Sequence, residues 1–509
     1  MSLRKRIIMN AGSNWVGMLV AGVVGLVLFR TIRHNLGASF GVWALLSTGL
    51  RYPVILERAF SLSTNRFVAF YRDNTEQMNR FVSASFGMLM GLAFLTVAAA
   101  VLLSFFVSDI FTAITSEAAR EAQITCILVG VTLALRIVGA TFGGAMRGYQ
   151  YHTRSNAVAI TANLLRLALT VGILALWKSM IAVQLASAMA AAVSLLLMFS
   201  VARKSIEGFK IAISKVRKDT IREIIHHTGH ATARSGSMVF MFSTLVLVVG
   251  KVGSAEDVEV YAIASMIPSF IRGLLAGTQN VFLPVITGLN ATGQSERVKA
   301  VIKKGTHISS ALACALLILL FVFAREVLGI WFKEAVPPET VLVMRVLIIS
   351  VVSRGFFGIW FPSLVGIGHL RKLTIAAITT AISAVIIELI LLQGFVSVPM
   401  APSIALVVVL WGYTGFWLPL HGLRKLGISP YEYFKDSLSG PLAASLVSIA
   451  ALWLLNMILP GENIHWALML TLSIVVVMVS FTAISLRKET ADLIVAVRKK
   501  YESKKEHRI

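Results

Sequence analysis

Apolar stretches of about twenty residues alternate with short polar runs along the whole chain, and each stretch is long enough to cross a bilayer as a helix. The pattern predicts fourteen spans, near residues 10 to 33, 39 to 61, 81 to 107, 122 to 146, 155 to 176, 179 to 202, 230 to 250, 258 to 285, 305 to 324, 341 to 365, 373 to 394, 402 to 420, 438 to 459 and 464 to 486. The expected fold class is therefore an all-α polytopic membrane protein. Between spans 6 and 7 the run from Arg203 to Lys218 mixes apolar and basic residues, which predicts an interfacial helix linking two halves. The tail from Lys488 to Ile509 alternates apolar and charged residues and is expected to be solvated or to lie on the membrane surface. Met1-Ser-Leu-Arg-Lys-Arg runs into span 1 without a small-residue cleavage site, so that span is expected to be retained.

Composition sharpens this. Of 509 residues 57% are hydrophobic and 14% charged, against roughly 25% charged in soluble proteins. A soluble enzyme, a disulfide-stapled secreted domain and a disordered chain are excluded. Cys126 and Cys314 both fall inside apolar runs and read as packing residues. A net charge of +23 suggests nucleic acid until the charges are placed: with the N-terminus inside, 32 of the 47 Lys and Arg fall in cytoplasmic segments, 6 in external loops, counting Arg33 at the edge of span 1 with the loop it enters, and 9 within spans. That bias is the topology signal of a multi-pass protein of the cell membrane, with both termini cytoplasmic, and no nucleic-acid partner is expected. The linker and the tail add an attraction to anionic headgroups.

The sequence also repeats itself. A shift of 218 residues brings Val42, Ala44 and Ser47 onto Val260, Ala262 and Ser265, Ala159-Ile160-Thr161 onto Ala377-Ile378-Thr379, Gly148 onto Gly366, Arg154 onto Lys372 and Arg136 onto Arg354. Six spans separate the copies, so both have the same orientation and an axis along the membrane normal is expected to relate them. The expected organisation is a six-helix lobe with its linker at 1–218, a second lobe at 219–436, two further helices at 437–486 and a basic tail at 487–509. Paired lobes about a shared cleft suit a transporter.

An ionisable group in hydrocarbon is costly unless it faces a cavity or a partner. Arg30, Arg51, Arg58, Arg136, Arg166, Arg234, Arg272, Arg345 and Arg354 nevertheless fall within spans, accompanied by two acids, Glu57 and Glu388. Arg30, Arg58, Arg234 and Arg345 lie near span ends and can snorkel to headgroups. Arg51, Arg136, Arg166, Arg272 and Arg354 are about 11 to 15 residues into their spans, or ~17 to 22 Å deep, and are expected to line a cavity. Arg51 and Arg58, seven apart on span 2, share one helix face with Pro53 between them, and Glu57 points elsewhere, toward an arginine of another span. Glu57 reads either as a neutralising partner or as a coupling site for a cation; Glu388 reads either as a protonated packing residue or as a coupling site. Because the planar guanidinium grips phosphate bidentately, the lining points to an anionic, phosphate-bearing substrate.

Other motifs carry little. His226, His227 and His230 lack further metal ligands, and no phosphate-binding loop, metalloprotease helix or nucleophile elbow occurs. No enzyme chemistry and no cofactor is expected, apart from a coupling proton or sodium ion. The aromatic run Trp411 to Trp417, with Trp360, Trp453 and Trp466, reads as interface anchors.

Leu36-Gly-Ala-Ser-Phe-Gly-Val-Trp-Ala-Leu-Leu-Ser with Asn65-Arg-Phe-Val-Ala-Phe-Tyr-Arg, Val260-Tyr-Ala-Ile-Ala-Ser, Leu283-Pro-Val-Ile and Met146-Arg-Gly-Tyr-Gln resemble the polysaccharide-biosynthesis, or O-antigen flippase, branch of the multidrug/oligosaccharidyl-lipid/polysaccharide (MOP) exporter superfamily. The resemblance implies a V-shaped pair of six-helix bundles with spans 1, 2, 7 and 8 facing the cleft. It also implies a flippase that carries a polyprenyl-diphosphate-linked oligosaccharide from the inner to the outer leaflet by alternating access. Arg51, Arg58 and Arg272 would then meet the diphosphate, membrane lipids would take the tail, and glycan polymerase and glycosyltransferases would be partners. A multidrug exporter or a peptidoglycan-precursor flippase of the same fold, and a non-transporting scaffold for glycan assembly, are the alternatives.

Overall fold

A computed structural model describes residues 3–212, 216–332, 336–458 and 466–485, without the side chains of 3–11, 227–235 and 466–468. The side chains of Arg234, His227, His230 and Trp466 and the whole tail from 487 lie outside the described residues. What is described is 88% helix, with no strand among those residues. Eleven helical segments are long and apolar enough to cross a membrane. The first of them, Gly12–Phe70, runs through several helices in succession, and two shorter apolar helices cover Gly236–Val252 and Met469–Ser485.

The helices divide into two packing units. The first unit, residues 1–267 with 374–405, contains α1 (Leu3–Leu36), α2 (Phe40–Gly49), α3 (Pro53–Phe70), α4 (Thr75–Ile110), α5 (Ala119–Gly148), α6 (His152–Leu176), α7 (Met180–Ser205) and α8 (Lys218–Val252). The second, 268–373 with 406–509, begins within α9 (Ala255–Asn280) and holds α10 (Phe282–Ala291), α11 (Ser295–Val322), α12 (Ala324–Phe332), α13 (Glu339–Phe357) and α14 (Trp360–Gly366). The chain returns to the first unit within α15 (Leu370–Leu391) and leaves it within α16 (Met400–Leu410). The second unit then continues through α17 (Leu418–Leu426), α18 (Pro430–Tyr433), α19 (Ser439–Ile458) and α20 (Trp466–Ser480). These bounds follow packing density, whereas the 218-residue repeat is a property of the sequence, and the one does not decide the other.

In the first unit α5 is the central helix: α3, α4 and α7 all pack along it. Small residues set the α3–α5 spacing. A Cβ added at Gly144 would lie 2.7 Å from the Ser61 carbonyl oxygen, and one at Gly148 would lie 2.7 Å from Val68 and 2.8 Å from the Asn65 carbonyl oxygen. Helix ends are capped from within the unit. Asn74 Oδ1 accepts from Gln77 N at 3.1 Å, and Glu121 accepts from Ser179 Oγ and Met180 N, each at 2.5 Å, at the start of α7. Arg33 Nε donates to Glu259 Oε1 at 2.8 Å, tying the end of α1 to α9. Cys126 and Cys314 are free and buried.

Two sequence expectations are corrected here. The linker after α7 is not an interfacial helix in its described residues: 206–212 and 216–217 are non-helical. Its backbone is instead satisfied by α4, with Asn79 Nδ2 donating to Gly208 O at 2.7 Å, Lys210 N to Asn79 Oδ1 at 2.9 Å and Ala212 N to Ser83 Oγ at 2.9 Å. Side-chain partners of that kind remove the need for a helical ladder. Span 2 is not one continuous helix either. It breaks between Gly49 and Pro53, because Pro53 has no N–H for the Gly49 carbonyl and the chain turns tightly through Arg51 and Tyr52.

In the second unit Trp360 is wholly buried. Its Nε1 donates to Tyr433 Oη at 2.9 Å, which donates onward to Thr306 Oγ1 at 3.1 Å. Trp360 is thus a core residue and not an interface anchor, since a buried indole is stable once its single N–H finds an acceptor. Tyr413 and Trp417 stack on one another and Trp417 on His421, so much of the aromatic run packs inward as well. Trp453, by contrast, is exposed.

Local geometry recurs at the sequence offset. Gln150 N donates to Arg147 O and Tyr151 N to Met146 O, while Gly368 N donates to Val365 O and His369 N to Leu364 O, and both Gln150 and Gly368 have positive φ. Likewise a Cβ added at Gly148 would meet Val68, and one added at Gly366 would lie 3.1 Å from Ile286.

His369 follows that second turn. Its ring faces His421 (Nδ1 to Nε2, 3.4 Å), with Lys425 and Lys372 nearby. Burial first, then the two lysines, hold its pKa below the ordinary histidine value. The unfolded chain therefore binds this proton more readily than the folded one. The stability associated with neutral His369 is full above pH ~6.5 and falls as the pH drops below it. Thermal unfolding in detergent should accordingly shift to lower temperature between pH 7.5 and pH 5, and His369→Gln should flatten that slope; an unchanged slope would refute the assignment.

Candidate functional site

The described arginines separate by unit. Arg51, Arg58, Arg136 and Arg166 belong to the first, Arg272 and Arg354 to the second.

Within the first unit two chambers adjoin at Arg136, Ala191 and Ser194. One, of about 550 Å³, is enclosed by α1, α2, α5, α6 and α7. Arg51 enters it from the break in span 2, Arg136 from α5 and Arg166 from α6, with Asn163, Gln184 and Ser187 beside them. The other, of about 460 Å³, is a groove floored by α5 between α3 and α7. It is lined by Glu57, Arg58, Ser61, Arg136 and Arg147, with Leu62, Leu195 and Met198 along its apolar sides.

The local sequence explains this placement. Had span 2 been continuous, Arg51 and Arg58 would share a face seven residues apart. The break at Pro53 separates them, so that Arg51 lines the first chamber and Arg58 the second. Arg166 is held by its Nε, which donates to Ser187 Oγ at 3.1 Å, leaving the rest of the fork for a ligand. Arg147 Nη2 donates to Ser61 Oγ at 2.6 Å, and Ser61 in turn donates to the Ala140 carbonyl at 3.1 Å. Gln184 Nε2 lies 3.3 Å from Thr132 Oγ1.

Electrostatically the two linings carry five arginines and one carboxylate, Glu57. Arg51, Arg136 and Arg166 are near enough to repel one another. Among the described residues the ion pair that compensates them, Glu57 Oε2 to Arg136 Nη2, is 4.0 Å long, at the outer limit of an ion pair, and the Arg136 side chain remains 46% exposed. Clustered like charges with one carboxylate among them favour binding of an anion. The volumes are those of ordinary small-molecule sites, and the linings are rich in basic and small polar side chains.

Elsewhere, Arg272 on α9 donates to Ser269 Oγ at 2.9 Å. Arg354 on α13 has its Nε buried with no hydrogen bond to a described residue, and its carbonyl accepts from Gln279 Nε2 at 2.9 Å. Glu388 on α15 is fully buried, and neither carboxylate oxygen is hydrogen-bonded among the described residues. Arg345 Nε donates to the Phe321 carbonyl at 3.1 Å.

Sequence reading missed Arg147. It follows span 4 directly, where a basic residue counts as a topology charge, and only the extension of α5 to Gly148 keeps it in the groove. Ser61, Asn163, Gln184, Ser187 and Ser194 had no sequence signal, because small polar residues are common in spans.

No protein-family model matches the chain. The chain is 21% identical over 454 residues to the uncharacterized membrane protein EpsK of Bacillus subtilis (strain 168), covering 86% of this chain and 87% of EpsK. Among solved structures, the lipid II flippase MurJ in an inward closed conformation aligns with a TM-score of 0.69 and 15% identity, over 96% of this chain and all (100%) of MurJ. An inward-facing multidrug resistance MATE family transporter of the MOP superfamily aligns at 0.66 and 15%, over 81% of this chain and 99% of that one. A MOP superfamily transporter from Pyrococcus furiosus, described as having a binding pocket of reverse polarity, aligns at 0.64 and 15%, over 83% and 96%.

Proposed function

We propose that the chain, which has the fold of the MOP superfamily transporters, is a flippase of the cell membrane that carries a polyprenyl-diphosphate-linked oligosaccharide from the inner to the outer leaflet. The observation that carries this reading is the convergence of Arg51, Arg136 and Arg166 on one chamber. In the proposed cycle these guanidinium groups bind the diphosphate, the polyprenyl tail stays among the lipids, and alternating access releases the headgroup on the far side. Arg272 and Arg354, in the second unit, are proposed as further substrate contacts. The chain is a carrier in this reading and performs no bond chemistry. Glu57 and Glu388 are the proposed sites for a coupling proton or sodium ion, Glu388 because a buried carboxylate without a hydrogen bond favours a bound cation. The proposed topology has both termini in the cytoplasm, and glycosyltransferases and a glycan polymerase are the proposed partners.

The test is leaflet transfer in proteoliposomes. A fluorescent polyprenyl-diphosphate oligosaccharide is reconstituted with the full chain and scored by its accessibility to an external quencher. Transfer well above protein-free vesicles is expected. Extrusion of organic cations without lipid transfer would replace this reading with drug export, and transfer of a peptidoglycan-precursor lipid alone would change the headgroup.

A further inference from the structure

The two chambers are more than one diphosphate can use. Arg147 folds back so that its guanidinium lies 3.5 Å from the Cβ position of Gly143, which puts it about 10 Å along α5 from the level of Arg136. The two phosphorus atoms of a diphosphate share one bridging oxygen, so both of its charges are satisfied by a single cluster of guanidinium groups. That cluster is Arg51, Arg136 and Arg166, the chamber that also holds Asn163 and Gln184. Arg58 and Arg147 in the adjoining groove remain, and the one carboxylate there, Glu57, is shared among Arg51, Arg136 and Arg147.

We propose that the groove lined by Arg58, Arg136 and Arg147 is a second anion station, and that the transported glycan is acidic, bearing a carboxylate that docks there while the diphosphate occupies the first chamber. The inference rests on the flippase reading and narrows its substrate class. The lining supports it in three ways. Glu57 cancels part of the positive charge, which suits a singly charged group better than a diphosphate. Ser61 fixes the Arg147 fork through a 2.6 Å hydrogen bond while leaving its other nitrogens available. Leu62 and Leu195 border the groove, so a charge pair formed there lies beside apolar side chains as well as the arginines. Arg136, common to both chambers, ties the two stations together, so an acidic headgroup of matching length engages both at once and gains by effective concentration.

The test compares two probes on the purified full chain: a polyprenyl-diphosphate disaccharide with neutral sugars, and the same lipid with one sugar oxidised to a uronic acid. The native chain should bind the acidic probe at least about tenfold more tightly. In Arg147→Gln and in Arg58→Gln the acidic-to-neutral ratio should fall toward one, whereas Arg51→Gln with Arg166→Gln should weaken both probes together. Two single variants are used because Arg147 also bonds Ser61, and a folded Arg58→Gln protein keeps the comparison decisive. Equal binding of the two probes by the native chain, or a ratio unmoved in both variants, overturns the second station and leaves the flippase reading standing. Binding of neither probe overturns the flippase reading itself.

Discussion

Arg136→Ala should reduce leaflet transfer about 100-fold while the protein stays folded. Arg136 lines both chambers, so its loss removes charge-assisted hydrogen bonds at the shared point, each worth roughly 1.5–3 kcal/mol, and every 1.4 kcal/mol is about tenfold. Folding should tolerate the change because the side chain is half-exposed and its one ion pair is 4.0 Å long; contacts of that kind contribute ~0–1 kcal/mol. Removing one of several mutually repelling arginines also relieves strain. Arg136→Lys keeps the charge but loses the planar fork, and an intermediate loss of about tenfold is expected. Transfer rates in proteoliposomes, with thermal unfolding measured on the same preparations, check both. Unchanged transfer in Arg136→Ala would remove the chambers from the transport path.

Gly144→Val should cost about 3 kcal/mol or more and sharply lower the yield of folded protein. The new Cβ would lie 2.7 Å from the Ser61 carbonyl and 3.0 Å from Thr64 Cβ. The nearer obstacle is backbone, which cannot rotate away, so α3 and α5 must separate; overpacking of this kind typically costs ~1–3 kcal/mol, and more where nothing can yield. The adjacent position makes the control. A Cβ at Gly143 meets only the end of the flexible Arg147 side chain at 3.5 Å, an ordinary contact, and alanine is a better helix former than glycine by ~1 kcal/mol. Gly143→Ala should therefore be neutral or slightly stabilising. Detergent-solubilised yield and the midpoint of thermal unfolding separate the two; equal behaviour would mean that the α3–α5 spacing is not set at Gly144.

Much of the molecule is fixed by its sequence for a plain reason: in hydrocarbon every backbone polar group must be paired within its own segment, so an apolar run of twenty residues has only one economical conformation. Helix content was readable on that ground, and the arginines within the apolar runs, with few acids to match them, were visible in the sequence itself. Tertiary structure decided what depends on which residues meet. Pro53 could be seen in the sequence, but the full break that sends Arg51 and Arg58 into different chambers follows from the packing of α2 and α3 around it. Arg147 looked like a topology charge until α5 carried it into the groove. Trp360 looked like an interface anchor until Tyr433 supplied an acceptor in the core. Periodicity records how a helix is solvated on average, and it holds no information about the one neighbour that satisfies a given N–H or guanidinium. That neighbour is set by the close approach of helices at positions such as Gly144, where the absence of a side chain has meaning only once the opposite backbone is in place.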